Sequence, residues 1–178
     1  MHVREKSLNK ITDSNTVSTE EMIAFLEHLD QCDFCLDQMI EEEIRNTDLE
    51  VSLCAAMSPG RDLSNFDPSV RKATMEYLTE CLQSGSKVNA KVFCGPLYAG
   101  GGKRHWLTED DKKREWELAV KGIRELAYRA REYGIALSLE PLNRYRTSVV
   151  NTAGQALELV REIDASNVGI HYDTFHAC

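Results

Sequence analysis

The chain has 178 residues, 42% of them hydrophobic and 28% charged, and a formal net charge of −8. This length accommodates one domain with a sizeable core, and the acidic balance disfavours a nucleic-acid partner, which usually requires a basic surface. No apolar run reaches the roughly 18 residues of a membrane span, and the first ten residues lack the apolar core of a signal peptide. We therefore expect a globular cytoplasmic protein with neither nucleic acid nor membrane as a partner.

The N-terminal quarter carries weak structural signals. Residues 1–17 are polar and without a sustained period, which predicts a flexible arm. Ser18 followed by Glu21 is a capping box that predicts the start of a helix. We accordingly expect the folded domain to cover residues 18–178.

The six cysteines fit the reduced thiols of a cytoplasmic protein better than a disulfide framework. Cys32 and Cys35 form a C-x-x-C, which is found in redox pairs and as half of a zinc site. No second pair follows at zinc-ribbon spacing, so we favour plain thiols. Cys54 and Cys94 fall in predicted strands and are expected to be small core residues.

From about residue 48 onward, strand and helix patterns alternate. The apolar runs that predict strands cover residues 49–56, 90–94, 135–139 and 167–172. Helix starts are predicted at Asp67 with Pro68, at Thr108 with Asp111, and at the capping box of Thr152 and Gln155. This alternation predicts a parallel sheet with outer helices, and hence a (β/α) barrel. A closed barrel needs eight strands, so either the first 45 residues contain more strands or the barrel is partial.

Carboxylates end two consecutive predicted strands. Glu140 follows the strand that begins after Gly134, and Pro141 stops the ladder there. Asp173 ends the next strand, and His176 follows it. Because parallel strands deliver their carboxyl ends to one face of a barrel, we expect Glu140 and Asp173 to lie a few ångströms apart.

Two carboxylates beside an imidazole suit a hard or borderline divalent cation such as Mn²⁺, Mg²⁺ or Co²⁺. Such an ion polarises a carbonyl and a neighbouring hydroxyl, which makes the adjacent C–H acidic, and a carboxylate can then remove the proton. The alternative is that Glu140 caps a neighbouring helix or pairs with an arginine such as Arg144.

Several short motifs resemble one enzyme family. The motifs are E-P-L-N-R at 140–144, N-T at 151–152 and D-T-F-H at 173–176, together with C-G-P-L-Y at 94–98 and Trp106. Together they are similar to the ketose 3-epimerases, the D-tagatose/D-psicose 3-epimerase family of the xylose-isomerase-like TIM-barrel superfamily. The similarity runs over roughly residues 48–176, corresponding to the third to sixth strands of that barrel.

The resemblance implies a divalent metal, with Mn²⁺ favoured over Co²⁺ or Mg²⁺, and two glutamates that exchange the C3 proton of a free ketose through an enediolate. By position, Glu140 would be a metal ligand and one acid/base, and Asp173 a second ligand. His176 would hydrogen-bond the sugar near C1 to C3. Trp106 would line the pocket against the sugar or simply cover the barrel mouth.

Two departures from the family accompany this resemblance. The family's third and fourth ligands, a histidine and a glutamate, lie on the seventh and eighth strands, so we expect a truncated chain. Where the family commonly has a substrate-binding glutamate, this chain has Arg146. A cation there would select an anionic or phosphorylated sugar, or else face solvent.

Two other interpretations stay open. One is a different reaction of the superfamily, of the hydroxypyruvate-isomerase or inosose-dehydratase kind. The other is a non-catalytic remnant that acts as an interaction module, associating with itself or with a complete homologue through exposed sheet edges.

Overall fold

The computed structural model describes residues 41–46, 49–103 and 107–176. The chain divides into two compact units, Met1–Leu49 and Glu50–Cys178. In the first unit, the described residues form the end of a helix, where Arg45 pairs with Glu41 at 3.6 Å. The predicted arm, the helix start at Ser18, and the Cys32–Cys35 pair lie outside the described residues, so the domain boundary at residue 18 stays a prediction.

In the described part of the second unit, four strands alternate with three helices. The elements are β1 (Ser52–Cys54), α1 (Pro68–Lys87), β2 (Val92–Gly95), α2 (Glu109–Glu132), β3 (Ala136–Leu139), α3 (Ala153–Ile163) and β4 (Val168–Ile170). The strands lie in the order β1-β2-β3-β4, and every neighbouring pair is parallel. The predicted parallel sheet with outer helices is therefore confirmed.

The strands are shorter than the apolar runs that predicted them. Beyond the end of β1, Ala55 and Met57 are each only 4% exposed although they belong to the following loop. Burial alone sets the hydrophobic pattern, whereas a strand also requires a continuous ladder of hydrogen bonds. An apolar run therefore extends past the point where the ladder stops.

The three helix starts lie where their capping residues predict them. Asp67 and Thr108 each accept a hydrogen bond from a backbone N–H in the first turn, at 2.8 and 3.1 Å. At α3, the Thr152 hydroxyl accepts from the N–H of Gln155 at 3.1 Å, and the Gln155 side chain accepts in return from the Thr152 N–H at 3.1 Å. These bonds satisfy N–H groups that have no partner inside the helix.

The hydrophobic core lies between the sheet and the helices. Its fully buried side chains include Leu78, Leu82, Phe93, Ile123, Leu126, Leu137, Leu139, Leu159 and Ile163. In β3, Leu137 and Leu139 are buried, whereas Ala136 and Ser138 on the opposite face are half-buried. This strand is therefore buried on one face and half-buried on the other. No helix in the described ranges is both long enough and apolar enough to cross a membrane.

Gly95 fixes how β1, β2 and β3 meet at their carboxyl ends. Its φ is +127°, and a Cβ on it would come within 2.5 Å of the Ala55 carbonyl oxygen. Only glycine tolerates both the left-handed backbone and this close approach. The Gly95 carbonyl then accepts a hydrogen bond from the backbone N–H of Glu140 at 3.0 Å. The end of β2 therefore positions the residue that follows β3.

Candidate metal and sugar site

Three side chains converge at the carboxyl ends of β3 and β4. Glu140 comes directly after β3, and Asp173 and His176 lie in the segment after β4. One ligand atom from each of the three lies within 4.8 Å of the other two. The structure thus brings Glu140 and Asp173 as close together as parallel strand ends predict.

A buried tyrosine holds the backbone of Glu140. The hydroxyl of Tyr98 lies 2.8 Å from the Glu140 carbonyl oxygen and 3.2 Å from that of Val150. Tyr98 is fully buried, and burial raises the pKa of its hydroxyl far above the ordinary value, so it stays protonated and able to donate. The sequence interpretation placed Tyr98 in a family-like motif without a role; its contact with Glu140 is a tertiary feature.

The carboxyl group of Glu140 is half-buried and electrostatically unusual. Burial raises its pKa above the ordinary value, and the charge and hydrogen bond of Asp173 raise it further, against opposing contributions from His171 and His176. Two carboxylates this close favour one shared proton, because two like charges repel at short range. A divalent cation would relieve the same repulsion by replacing the proton.

The alternative partner for Glu140 in the sequence interpretation was Arg144. Its guanidinium instead stacks over the ring of Tyr145, 5.2 Å from the ring centroid, and donates to the Tyr145 hydroxyl at 3.1 Å. The carboxyl group of Glu140 instead lies near Asp173 and His176, with one ligand atom of each within 4.8 Å of the others. The pairing of Glu140 with Arg144 is therefore not what the structure contains.

Asn143 orients the imidazole of His176. The backbone N–H of Asn143 donates to Nδ1 at 3.3 Å, and the Asn143 amide nitrogen lies 2.9 Å from the same atom. A backbone N–H can only donate, so Nδ1 accepts and the neutral ring carries its hydrogen on Nε2. His176 in this form presents a hydrogen-bond donor to its surroundings.

A second histidine also acts on Glu140. Electrostatic attraction to His171 lowers the pKa of Glu140 more than that to His176 does. The sequence motifs do not single out His171, but strand register could have indicated its position. Leu139 and Ile170 are partners across β3 and β4, so Glu140 and His171 are the next residues along the two strands.

A cavity of about 510 Å³ opens beside Glu140. Its lining includes Cys54, Gly101, Gly102, Glu140, Arg146 and His176. The backbone N–H of Gly102 donates to the Arg146 carbonyl at 2.8 Å, which joins the loop after β2 to the loop after β3. The side chain of Arg146 is exposed and forms no ion pair with a described residue. Trp106, the predicted pocket aromatic, lies outside the described residues.

The loops around this cavity converge on one buried lysine, which the sequence interpretation missed. Lys103 Nζ lies 2.8 Å from Asp62 Oδ2, 2.7 Å from Glu115 Oε1 and 2.8 Å from Ser64 Oγ. Its backbone also forms a parallel bridge with Thr147. Lys103 therefore connects the loops that follow β1, β2 and β3 to helix α2.

Comparison with known proteins identifies the family. The sequence profile of the xylose isomerase-like TIM barrel family matches residues 20–178. The chain belongs to this family. It is 33% identical over 123 residues to a D-psicose 3-epimerase from Ruminiclostridium cellulolyticum, covering 67% of this chain and 40% of that protein. It is 35% identical over 128 residues to a ketose 3-epimerase from Arthrobacter globiformis, covering 72% of this chain and 43% of that protein.

Solved structures within the family agree with this assignment. The D-psicose 3-epimerase of Clostridium cellulolyticum H10 with D-tagatose superposes with a TM-score of 0.71 at 31% identity, over 79% of this chain and 49% of that one. An L-ribulose 3-epimerase gives a TM-score of 0.70 at 26% identity, over 76% of this chain and 45% of that one. The predicted resemblance to ketose 3-epimerases and the partial TIM-type fold are confirmed. The chain spans less than half of the length of these four proteins.

Proposed function

We propose that this chain supplies the proton-abstracting half of the site of a divalent-metal-dependent sugar epimerase or isomerase, acting at C3 of a ketose. The observation that supports this most is the convergence of Glu140, Asp173 and His176 within 4.8 Å at the ends of neighbouring strands. The relatives that share this part of the fold are named as 3-epimerases of D-psicose, L-ribulose and other ketoses.

The donor set fits a divalent metal. Glu140 and Asp173 would be the ligands from this chain, because carboxylate oxygens suit Mn²⁺, Co²⁺ and Mg²⁺ alike, with Mn²⁺ our first choice. The raised pKa of Glu140 is consistent with this, since burial removes the water that would stabilise the carboxylate, and a bound cation would supply that stabilisation instead. When bound, the metal would polarise the carbonyl and hydroxyl oxygens of the sugar.

Glu140 and His176 have different roles toward the sugar. The Glu140 carboxylate takes the proton from C3, and the electron pair of the broken C–H bond moves toward the C2 carbonyl to form an enediolate. His176, with its hydrogen on Nε2, donates to a sugar oxygen and holds the substrate in place. Inversion at C3 requires a second acid on the opposite face. Among the described residues that line the cavity, Glu140 is the single carboxylate, so our proposal covers the abstraction step alone.

The position of Arg146 supports a second candidate substrate class, namely sugars that carry a negative charge. Arg146 lines the same cavity, and its side chain has no ion pair with a described residue. An unpaired cation beside a sugar site suits a phosphate or carboxylate group on the substrate. We therefore include phosphorylated and acidic ketoses as alternatives to a free ketose, alongside the hydroxypyruvate-isomerase and inosose-dehydratase reaction types. The pocket role of Trp106 stays a prediction.

Metal binding can be tested by calorimetry with Mn²⁺. We expect binding by the unmodified chain and its loss in the double variant Glu140→Ala/Asp173→Ala. A matched control is Glu117→Ala/Glu158→Ala, which removes the same charge from exposed positions on α2 and α3 and should bind as the unmodified chain does. Equal affinities for all three proteins would exclude Glu140 and Asp173 as ligands.

The abstraction step can be tested without requiring inversion. In D₂O with Mn²⁺, the chain should introduce deuterium at C3 of D-psicose or D-tagatose, measured by NMR. A Glu140→Gln variant should exchange about 10²- to 10⁴-fold more slowly, because it loses the base but keeps the shape. Testing ketose phosphates in parallel determines which substrate class is preferred. Metal binding without exchange on any sugar would favour the non-catalytic interaction module.

A further inference from the structure

Two cysteines on neighbouring strands lie beside each other at this site. Cys54 of β1 and Cys94 of β2 are direct partners in the parallel ladder, and the N–H of Ala55 donates to the Cys94 carbonyl at 3.1 Å. Partner residues in a parallel ladder present their side chains on the same face of the sheet, so the two thiols are neighbours. Neighbouring strands lie about 4.8 Å apart, which is within the range of about 4.4–6.8 Å that Cα atoms joined by a disulfide span.

The two thiols differ in accessibility. Cys54 is exposed and lines the cavity next to Glu140, whereas Cys94 is buried. The expectation that Cys54 is a small core residue is therefore wrong, because β1 is an edge strand in the described sheet and turns this side chain toward the cavity. Cys94, in contrast, is buried, as expected for a small core residue. Burial, together with the neighbouring Cys54 and Glu140, raises the pKa of Cys94 to about 11.

We propose that Cys54 and Cys94 are a peroxide-oxidisable thiol pair that closes to a disulfide at the wall of the site cavity. This inference is independent of the proposed function. The remaining described cysteine, Cys81, lies on helix α1 and not on a strand of the sheet. Register and exposure together therefore single out one pair and assign each member a role.

The chemistry proceeds in two balanced steps. The exposed Cys54 thiolate attacks one oxygen of hydrogen peroxide, the O–O bond breaks, and a proton completes the departing water, leaving Cys54 as a sulfenic acid. The Cys94 thiolate then attacks the Cys54 sulfur, the S–O bond breaks, and a second water leaves after protonation. Two thiols and one peroxide thus yield one disulfide and two waters.

Peptide mapping tests this pairing on the folded 178-residue chain. The reduced chain is treated with hydrogen peroxide, its free thiols are blocked with N-ethylmaleimide, and it is digested with trypsin. Residues 46–61 and 92–103 are separate tryptic peptides with one cysteine each. We expect these two peptides to be found joined, with the loss of two hydrogens, and the folded chain to lose two titratable thiols.

Single variants distinguish this pair from general oxidation. Cys54→Ser and Cys94→Ser should each abolish the joined peptide, and in Cys94→Ser the sulfenic acid on Cys54 should be trapped by dimedone. Cys81→Ser is the matched control and should form the same joined peptide as the unmodified chain. Because the attacking form of Cys94 is its thiolate, closure should be faster at about pH 9 than at about pH 7.

Two results would overturn the proposal. One is recovery of both Cys54 and Cys94 as maleimide adducts after peroxide treatment of a chain whose circular dichroism is unchanged. The other is a dominant link from Cys54 to any cysteine other than Cys94. A parallel digest of the urea-unfolded chain shows how links distribute when the sheet register is absent.

Discussion

At the scale of the residue, Glu140 is held both at its backbone and at its carboxyl group. Its N–H is held by Gly95, its carbonyl by Tyr98, and its carboxyl group by Asp173. A base that must reach one carbon of a sugar requires this fixed placement, because a shift of about 1 Å can cost about a hundredfold in rate. The raised pKa makes the Glu140 carboxylate a stronger base than an exposed glutamate, which suits the proposed role.

The raised pKa of Glu140 predicts a specific dependence of stability on pH. The folded chain retains this proton above the ordinary value of 4.5, where the unfolded chain has lost it. The free energy of unfolding contributed by Glu140 should therefore fall as pH rises from 4.5 through the folded pKa, and then level off. Urea unfolding over this window, with the unmodified chain compared to Glu140→Gln in the absence of metal, measures the difference.

The control for this prediction is Glu117→Gln, at an exposed position of α2. Its difference from the unmodified chain should stay constant across the same pH range. A free energy of unfolding of the unmodified chain that rises relative to that of Glu140→Gln as pH rises through this window would contradict the assigned direction of the shift.

At the scale of the element, the loops at the carboxyl ends of the strands are held together by buried charge. Lys103 is 9% exposed, and its two carboxylate partners, Asp62 and Glu115, are 2% and 4% exposed. A buried ion network of this kind adds less stability than its distances suggest, because each ion loses its hydration on burial. Its contribution lies in fixing which loops meet, and these loops line the cavity.

Replacing Lys103 should be costly for this reason. Lys103→Met leaves Asp62 and Glu115 buried without their cation, and we expect a loss of about 3–5 kcal/mol in the free energy of unfolding. Lys112→Met is the matched control, since Lys112 pairs with Glu109 at 2.8 Å on the surface, with the two side chains 56% and 89% exposed. That surface pair should contribute about 0–1 kcal/mol.

Urea unfolding at neutral pH compares the Lys103 and Lys112 variants directly. A loss in Lys103→Met no larger than that in Lys112→Met would show that the buried carboxylates are neutralised some other way. In that case, Lys103 would not be what holds the loops together.

At the scale of the whole molecule, the chain contains a consecutive part of a larger family fold. It covers 40% and 43% of the two curated relatives and 49% and 45% of the two solved structures compared. In the described sheet, β1 pairs only with β2, and β4 only with β3. Strands at such edges carry unpaired backbone groups that favour association with another strand, so assembly with a second copy stays a prediction.

Much of the fold could be predicted because its signals are local. The helix starts were predictable from capping hydrogen bonds that join residues only two or three positions apart, at Asp67, Thr108 and Thr152. The approach of Glu140 to Asp173 was equally predictable, because both follow consecutive parallel strands whose ends meet at one face. Strand lengths were overestimated, since apolar character continues past the ladder.

The other features of the fold and the site depend on contacts between residues that are a full βα repeat apart in the sequence. The sequence by itself determined the order of the elements, the helix caps and the carboxylates at the strand ends, because each follows from spacing along the chain. Only the tertiary structure decided that Lys103 meets Asp62, 41 residues away, that Tyr98 holds Glu140, 42 residues away, and that Cys54 lies beside Cys94. Sheet register and loop packing determine which residues meet. Many other residues of the same chemical types are present in the chain, and no local sequence pattern distinguishes the actual partners from them.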